Sequence, residues 1–229
     1  MFENLLWLEE VNSTQEVVKS RNLPAWTVVV ANRQRLGRGR LGRPWHSAEG
    51  GIYLSFSVPR GFRDECTLPL VVACAVADYL AELGFRPALK WVNDVYIKGR
   101  KVCGVLTEGL KDRLIVGVGI NLNQEAFPPN LEAISLKMVS GQSLCPLDFL
   151  AGLLEQMEKG LKELFLVGFS ALKERIEDRL LFKDSEVVLY TPAPVAGLLQ
   201  GIGKDGSLLL LTQEGLRAFS VGELTLRPR

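Results

Sequence analysis

The sequence predicts an α+β domain with a small β-barrel appended to it, and three observations support that prediction. Short apolar runs such as Thr27–Ala31 (TVVVA) and Leu114–Gly119 (LIVGVG) read as buried strands. Longer stretches with helical apolar spacing, at Thr67–Leu83, Leu147–Phe165 and Ser170–Leu180, are interspersed with them. From Lys183 onward five short runs separated by turn signals take over, the pattern of a small barrel. This change of character puts a boundary near Phe182–Asp184, dividing residues 1–182 from residues 183–229.

Each element has a local reason. Thr27–Ala31 delivers the chain into an arginine–glycine loop, and Gly51–Val58 (GIYLSFSV) alternates as the next strand up to Pro59. The helix at Thr67–Leu83 has Thr67 to cap it, Pro69 in its first turn and Gly84 to end it. Ala88–Trp91 and Asp94–Ile97 turn through Lys98-Gly99-Arg100 into Lys101–Thr107 as a hairpin. Gln124–Pro146, punctuated by Pro128, Pro129 and Gly141, reads as a loop before the two later helices. The runs EVVLY, VAGLLQGI, SLLLLT, LRAFS and ELTLR then supply the barrel strands.

Composition narrows the function. The chain has 229 residues, 47% hydrophobic and 23% charged, enough for a sizeable core. A net charge of +1 gives no general attraction for nucleic acid or membrane, so any anion binding is focal. Met1–Glu10 lacks the basic start and apolar run of a secretory signal. Val187–Gly203, the longest uncharged run, is broken by Pro192 and Pro194 and does not read as a membrane span. Cys66, Cys74, Cys103 and Cys145 are widely spaced and His46 is the only histidine, which excludes zinc-finger spacing and most Cys/His or Ser/His catalysis. Cys74 and Cys103 sit in apolar settings as small buried thiols, and the chain reads as cytoplasmic and reduced.

Four segments place polar residues where packing would favour apolar ones. Gln34–Trp45 (QRLGRGRLGRPW), just after Arg33, interleaves arginines with glycines; glycine lets backbone approach a ligand and arginine offers a fork to phosphate or carboxylate. Its bland reading is a solvated loop or a nucleic-acid contact. In Asn12–Glu16, Ser13 and Glu16 form a capping box, which is compatible with a helix start that offers N–H groups to a ligand. Leu89–Asp94 (LKWVND) puts Lys90 in an apolar segment, where it needs a partner anion unless it is only an edge-strand device. Val116–Asn123 (VGVGINLN) reads as close backbone packing ending in the turn-former Asn121. No G-x-G-x-x-G or Walker-type loop is present. Together the four segments suit a carboxylate attacking a nucleotide phosphate, where lysine and arginine offset the repulsion between two anions.

These residues closely resemble the biotin–protein ligases. The match lies in NSTQ at Asn12–Gln15, in QRLGRGRLGRPW, in LKWVNDVYIKGRKVCGVLTE at Leu89–Glu108 and in VGVGINLN. The resemblance implies the mixed-sheet domain of the biotin/lipoate ligase type with an SH3-like barrel at residues 183–229. It implies that biotin and ATP form biotinyl-5′-AMP, with Mg2+ on the phosphates, and that biotin then passes to a lysine of a biotin carboxyl carrier protein or domain. Lys90 and Arg38 are then the catalytic residues. Ser13, Thr14, Gln15, Gln34, Gly37, Arg38, Gly39, Arg40, Trp45, Lys90 and Gly104 bind biotin, with Gly104 letting its rings lie on the backbone. Arg38, Arg40, Trp45, Asn93, Lys101 and Asn121 serve the nucleotide, Asp94 the metal, and Leu41 helps Trp45 exclude water. Val92 stands where the family usually has Pro, and Asn12 where it usually has Asp. The form implied is the short one without a DNA-binding module, so no DNA partner and no membrane are expected, while a homodimer is plausible from sheet-edge pairing. The barrel is expected to serve ATP binding or carrier docking, and its removal to leave the rest folded. The rivals are a lipoate–protein ligase, which would carry adjacent glycines in place of the GRGR-x-GR found here, and a non-enzymatic nucleic-acid binder, which the charge balance disfavours.

Overall fold

Alternation in Ile52–Pro59 sets up the main sheet. Ile52, Leu54, Phe56 and Val58 are buried on one face, while Tyr53, Ser55 and Ser57 take the other. The computed structural model describes residues 1–21, 23–220 and 222–226. In chain order the first domain runs β1 (Asn4–Val11), α1 (Thr14–Ser20), β2 (Thr27–Gln34), β3 (Ile52–Pro59), α2 (Leu68–Glu82), β4 (Ala88–Lys90), β5 (Asp94–Ile97), β6 (Arg100–Gly109) and β7 (Arg113–Ile120). Three helices follow: α3 (Leu136–Ser140), α4 (Pro146–Leu166) and α5 (Lys173–Glu177).

The seven strands form one mixed sheet in the order β1-β2-β3-β7-β6-β5-β4. β1 and β2 are parallel, so a crossover must join them, and α1 supplies it. All other neighbours are antiparallel. One face packs on α2, whose residues are buried almost without interruption, and α4 covers α2. The opposite face is shielded only partly, by Val18 of α1 against Val29 and Ile115.

Several elements differ from what the sequence pattern predicts. β1 is a strand that the sequence reading leaves unassigned; as an edge strand it buries little and shows no clean alternation. Thr67 does not cap α2, because a 3-10 turn at Glu65–Thr67 leads in and its hydroxyl donates to the Asp64 carbonyl. Gly84 ends the helix as expected, with φ +86° and the Phe85 N–H returning to the Leu80 carbonyl. The loop at Gln124–Pro146 contains α3, capped by Ser135, whose Oγ accepts from the Met138 N–H. The helix expected at Ser170–Leu180 is only Lys173–Glu177, since Arg179 and Leu181 hydrogen-bond with Leu89 and extend the edge of β4. β4 stops at Lys90, and Trp91-Val92-Asn93 turns the chain so that Lys90 pairs with Asp94. The β5–β6 turn, Lys98-Gly99, has both φ values positive, as a tight hairpin demands.

The C-terminal strands are β8 (Glu186–Tyr190), β9 (Val195–Ile202), β10 (Leu208–Thr212), β11 (Gly215–Phe219) and β12 (Glu223–Leu226). They form a five-stranded antiparallel sheet in the order β11-β10-β9-β8-β12, matching the five runs in the sequence, although Arg227 of the last run lies outside the described residues. Val187, Leu189, Leu199, Ile202, Leu208, Leu210 and Leu224 belong to the same hydrophobic cluster as α2 and the main sheet. Among the described residues no helix is long and apolar enough to cross a membrane.

Candidate active site

Strand register builds the floor of the site. Lys90 pairs with Asp94, Asp94 with Gly104 and Gly104 with Gly119, so the four stand in one row on the sheet face turned away from α2. The glycines are there for lack of room. A Cβ on Gly119 would come within 2.5 Å of the Trp45 indole, and one on Gly104 within 2.8 Å of the same ring. A Cβ on Gly117 would meet the Gln15 side chain at 3.0 Å. The place on Gly104 expected for the biotin rings is therefore covered here by Trp45. Its Nε1–H is buried without a hydrogen-bond partner among the described residues, an orphaned donor that a ligand acceptor would satisfy.

The charges beside this floor are unequal. Lys101 Nζ lies 2.7 Å from Asp94 Oδ1 and 5.0 Å from the Trp45 ring centroid. Lys90 Nζ lies 5.3 Å from the Tyr96 ring centroid and makes no ion pair among the described residues. No described residue supplies the anion that Lys90 was expected to need, which leaves the charge for a ligand.

A hydrogen-bond chain joins the helix start to the loop. The Thr14 N–H and Oγ1–H both reach Gln34 Oε1, at 2.9 and 3.1 Å, and Thr14 Oγ1 lies 2.7 Å from Ser55 Oγ. Gln34 Nε2–H donates to Ser47 Oγ, whose hydroxyl donates to the Trp45 carbonyl. Gln15 Nε2–H donates to the Leu106 carbonyl at 3.3 Å. The capping box at Ser13 and Glu16 is not formed. Ser13 occupies the N-cap position without a side-chain bond, and Glu16 pairs with Arg38, because a guanidinium competes for the carboxylate.

The arginine loop is a folded hairpin. Gly39 N–H donates to the Arg43 carbonyl at 2.7 Å, Trp45 N–H to the Gly37 carbonyl at 2.9 Å, and Gly37 has no room for a side chain against Ser47. Arg33 and Arg35 are held by Glu49 and Glu10, at 3.5 and 2.6 Å. Arg40 differs from them in donating to two neutral acceptors, Asn93 Oδ1 at 3.2 Å and the Gly222 carbonyl at 3.3 Å. Leu41, with φ +57°, stands 85% exposed at the tip and walls off nothing, contrary to expectation. Asn93 donates to the Val105 carbonyl at 2.7 Å and Asn121 to the Lys101 carbonyl at 3.3 Å, so both carry structural bonds at the nucleotide-side positions assigned to them.

Other reactive groups lie elsewhere. His46 is exposed and packs edge-on to Phe127. Burial pushes the Cys74 thiol up to about 12 and raises that of Cys103 as well, so neither is a nucleophile at neutral pH. No group of three or more His, Cys, Asp or Glu side chains that could hold a metal ion occurs among the described residues. A lone carboxylate carrying Lys101 is not a built metal site, and Mg2+ does not fit Asp94 as its side chain stands. The site residues that the sequence reading did not single out are Ser55 and Tyr96, whereas Gly117 and Gly119 lie in VGVGINLN, which it read as close backbone packing. Ser55 and Ser57 are the polar positions of an alternating strand, and only the fold shows that Ser55 meets Thr14.

Comparison with known proteins agrees with this geometry. Residues 7–125 match the model of the biotin/lipoate A/B protein ligase family. The bifunctional ligase/repressor BirA of Bacillus spizizenii is 34% identical over 99% of this chain and 75% of its own length. The biotin–[acetyl-CoA-carboxylase] ligase of Paracoccus denitrificans is 28% identical over 87% of this chain and 89% of its own. The biotin protein ligase of Aquifex aeolicus, solved in complex with biotin and ATP, superposes with a TM-score of 0.94 at 41% identity, covering 100% of both chains. With a site built on Lys90, a glycine floor and an arginine loop, the chain belongs to the biotin/lipoate A/B protein ligase family and, within it, is a ligase of the biotin–protein ligase type.

Proposed function

We propose that the chain condenses biotin with ATP to biotinyl-5′-AMP and then biotinylates a lysine of a carboxylase's carrier domain. The observation that carries this reading is Lys90, a cation without an ion-pair partner among the described residues, at the end of the row that also holds Asp94 and the glycine floor under Trp45. In the first step a biotin carboxylate oxygen attacks the α-phosphorus, the bond to the bridging oxygen breaks, and pyrophosphate leaves with that electron pair. Lys90 bridges carboxylate and α-phosphate and offsets their repulsion. Arg38 stabilises the charge developing on the phosphoryl oxygens. Any magnesium arrives on the nucleotide's phosphates as part of the substrate. In the second step the acceptor amine attacks the acyl carbon, AMP leaves and the amine loses a proton.

The binding roles follow the positions. Ser13, Thr14, Gln15 and Gln34 offer buried or half-buried hydrogen-bonding groups around the helix start for the polar ring of biotin. Trp45, Lys101, Asn93 and Arg40 form the nucleotide side, with the Trp45 ring giving adenine a stacking surface. The decisive experiment is ATP–pyrophosphate exchange with no acid, with biotin and with lipoate. Exchange with biotin alone is expected. Exchange with lipoate alone would move the chain to the other branch of its family, and exchange with neither acid would sink the reading.

A further inference from the structure

We propose that Glu16 is a positioning residue for the arginine loop, a built-in carboxylate that holds Arg38 until the phosphate of the nucleotide takes its place. The inference rests on the reading of Arg38 as a phosphate ligand.

Glu16 stands in the first turn of α1, where a capping role would aim its carboxylate back at the helix start. It points instead to the Arg38 guanidinium. The bond that a capping box would make, from the Ser13 N–H to Glu16, is not formed among the described residues, and the next N–H, that of Thr14, is held by Gln34. The carboxylate is thus free of any helix duty. Arg38 is fixed through its backbone, which bridges to Pro44, so its side chain can change partner while the spine of the loop stays folded.

The pair links the two halves of the site. Thr14 and Gln15, on the biotin side, directly precede Glu16 in α1, and the loop begins at Gln34, which Thr14 already holds. The pair is also suited to release. The Arg38 side chain is 53% exposed and that of Glu16 39%, so the contact is screened and weak. A nucleotide phosphate chain carries more negative charge and more acceptor oxygens than one carboxylate, and so competes for a guanidinium fork that is held by an exposed pair. A buried pair in the same position would resist exchange, since breaking it strands a charge. The self-contact therefore raises the nucleotide concentration needed to engage Arg38 and leaves the bound state unaffected.

The test uses the full chain with Glu16→Gln, Arg38→Gln and the double variant, in biotin-dependent ATP–pyrophosphate exchange. Glu16→Gln is expected to lower the KM for ATP roughly two- to fivefold, with kcat within about twofold of wild type. In the Arg38→Gln background the same change is expected to have no effect, with ATP affinity read by calorimetry should exchange be too slow. As an independent readout, trypsin should cut within Gln34–Trp45 faster in unliganded Glu16→Gln than in wild type, while biotin plus ATP protects both equally. An unchanged or raised KM in Glu16→Gln, or an effect that persists without Arg38, overturns the role of Glu16. Full exchange by Arg38→Gln would instead overturn the underlying assignment of Arg38.

Discussion

At the scale of single residues, the site separates side chains that the sequence motif treats alike. Lys90 and Lys101 are both lysines of the LKWVND…K stretch, yet Lys101 is neutralised by Asp94 and Lys90 has no ion pair among the described residues. Lys90→Ala is therefore expected to lower biotin-dependent pyrophosphate exchange by about 10²–10³-fold. His46→Ala, which removes an exposed ring packed edge-on to Phe127, should stay within about twofold of wild type; a Lys90 variant that retained exchange would remove the central assignment. The glycines separate in the same way. On Gly119 an added methyl collides with the Trp45 indole, whereas on Gly39 it meets nothing closer than the Arg43 carbonyl at 3.6 Å. Gly119→Ala should cost about 1–3 kcal/mol and lower Tm by roughly 2–4 °C per kcal/mol. Gly39→Ala should leave Tm unchanged. Equal Tm values for the two would show that Trp45 does not rest on the sheet in solution.

At the scale of elements, what could be read from the sequence depended on how each element is buried. Ile52–Pro59 and Thr27–Gln34 announce themselves because a sheet with one helix-covered face imposes alternation or an apolar run. Asn4–Val11 does not, because an edge strand needs neither. Arg179 and Leu180 were read as the end of a helix because their spacing fits one, and a long-range pairing of Arg179 and Leu181 with Leu89 prevailed. The motif residues were legible as a set, but their partners were not: Glu16 looks like a cap until the fold brings Arg38 beside it. α5 shows a similar long-range choice. Glu177 accepts from the Ile202 N–H at 2.7 Å and pairs with Lys173 at 2.9 Å, tying α5 to β9. Burial works to raise its carboxyl, but the Ile202 N–H and Lys173 outweigh that and hold it below the ordinary 4.5. For a depressed carboxyl the stabilisation is complete above the unfolded value and is lost as pH falls through the folded one. Glu177→Ala strands the Ile202 N–H, and should cost about 1–3 kcal/mol at pH 7 in denaturant titrations. The deficit should shrink below the unfolded value of 4.5, and a deficit that stayed constant down to pH 3 would mean that ionisation of Glu177 contributes nothing.

At the scale of the whole molecule, the C-terminal sheet is joined to the site as well as to the core. Its apolar residues sit in the same cluster as α2 and the main sheet, so cutting the chain at residue 183 would bare that core, contrary to the expectation of an independent remainder. A point change tests the connection more cleanly. The Trp91 indole Nε1–H donates to the Gly206 carbonyl at 3.0 Å, in the β9–β10 turn, and Trp91 directly follows Lys90. Arg40 makes a second tie, to the Gly222 carbonyl. The turn that sets Lys90 against Asp94 and places Asn93 is thus pinned from the C-terminal sheet. Trp91→Phe keeps the apolar contact and deletes the donor, leaving the Gly206 carbonyl without it. If the sheet helps to position Lys90, this variant should lose roughly fivefold or more in kcat for exchange while its Tm falls by only a few degrees. Gly206→Ala attacks the same bond from the other side, since its φ of +80° strains any side chain and the added methyl meets Thr67 at 3.0 Å. The two variants should then resemble each other in kcat, and their combination should be no worse than the more impaired single change. Fully additive losses would mean that the turn and the indole act separately, and that the C-terminal sheet supports the core without reaching the chemistry.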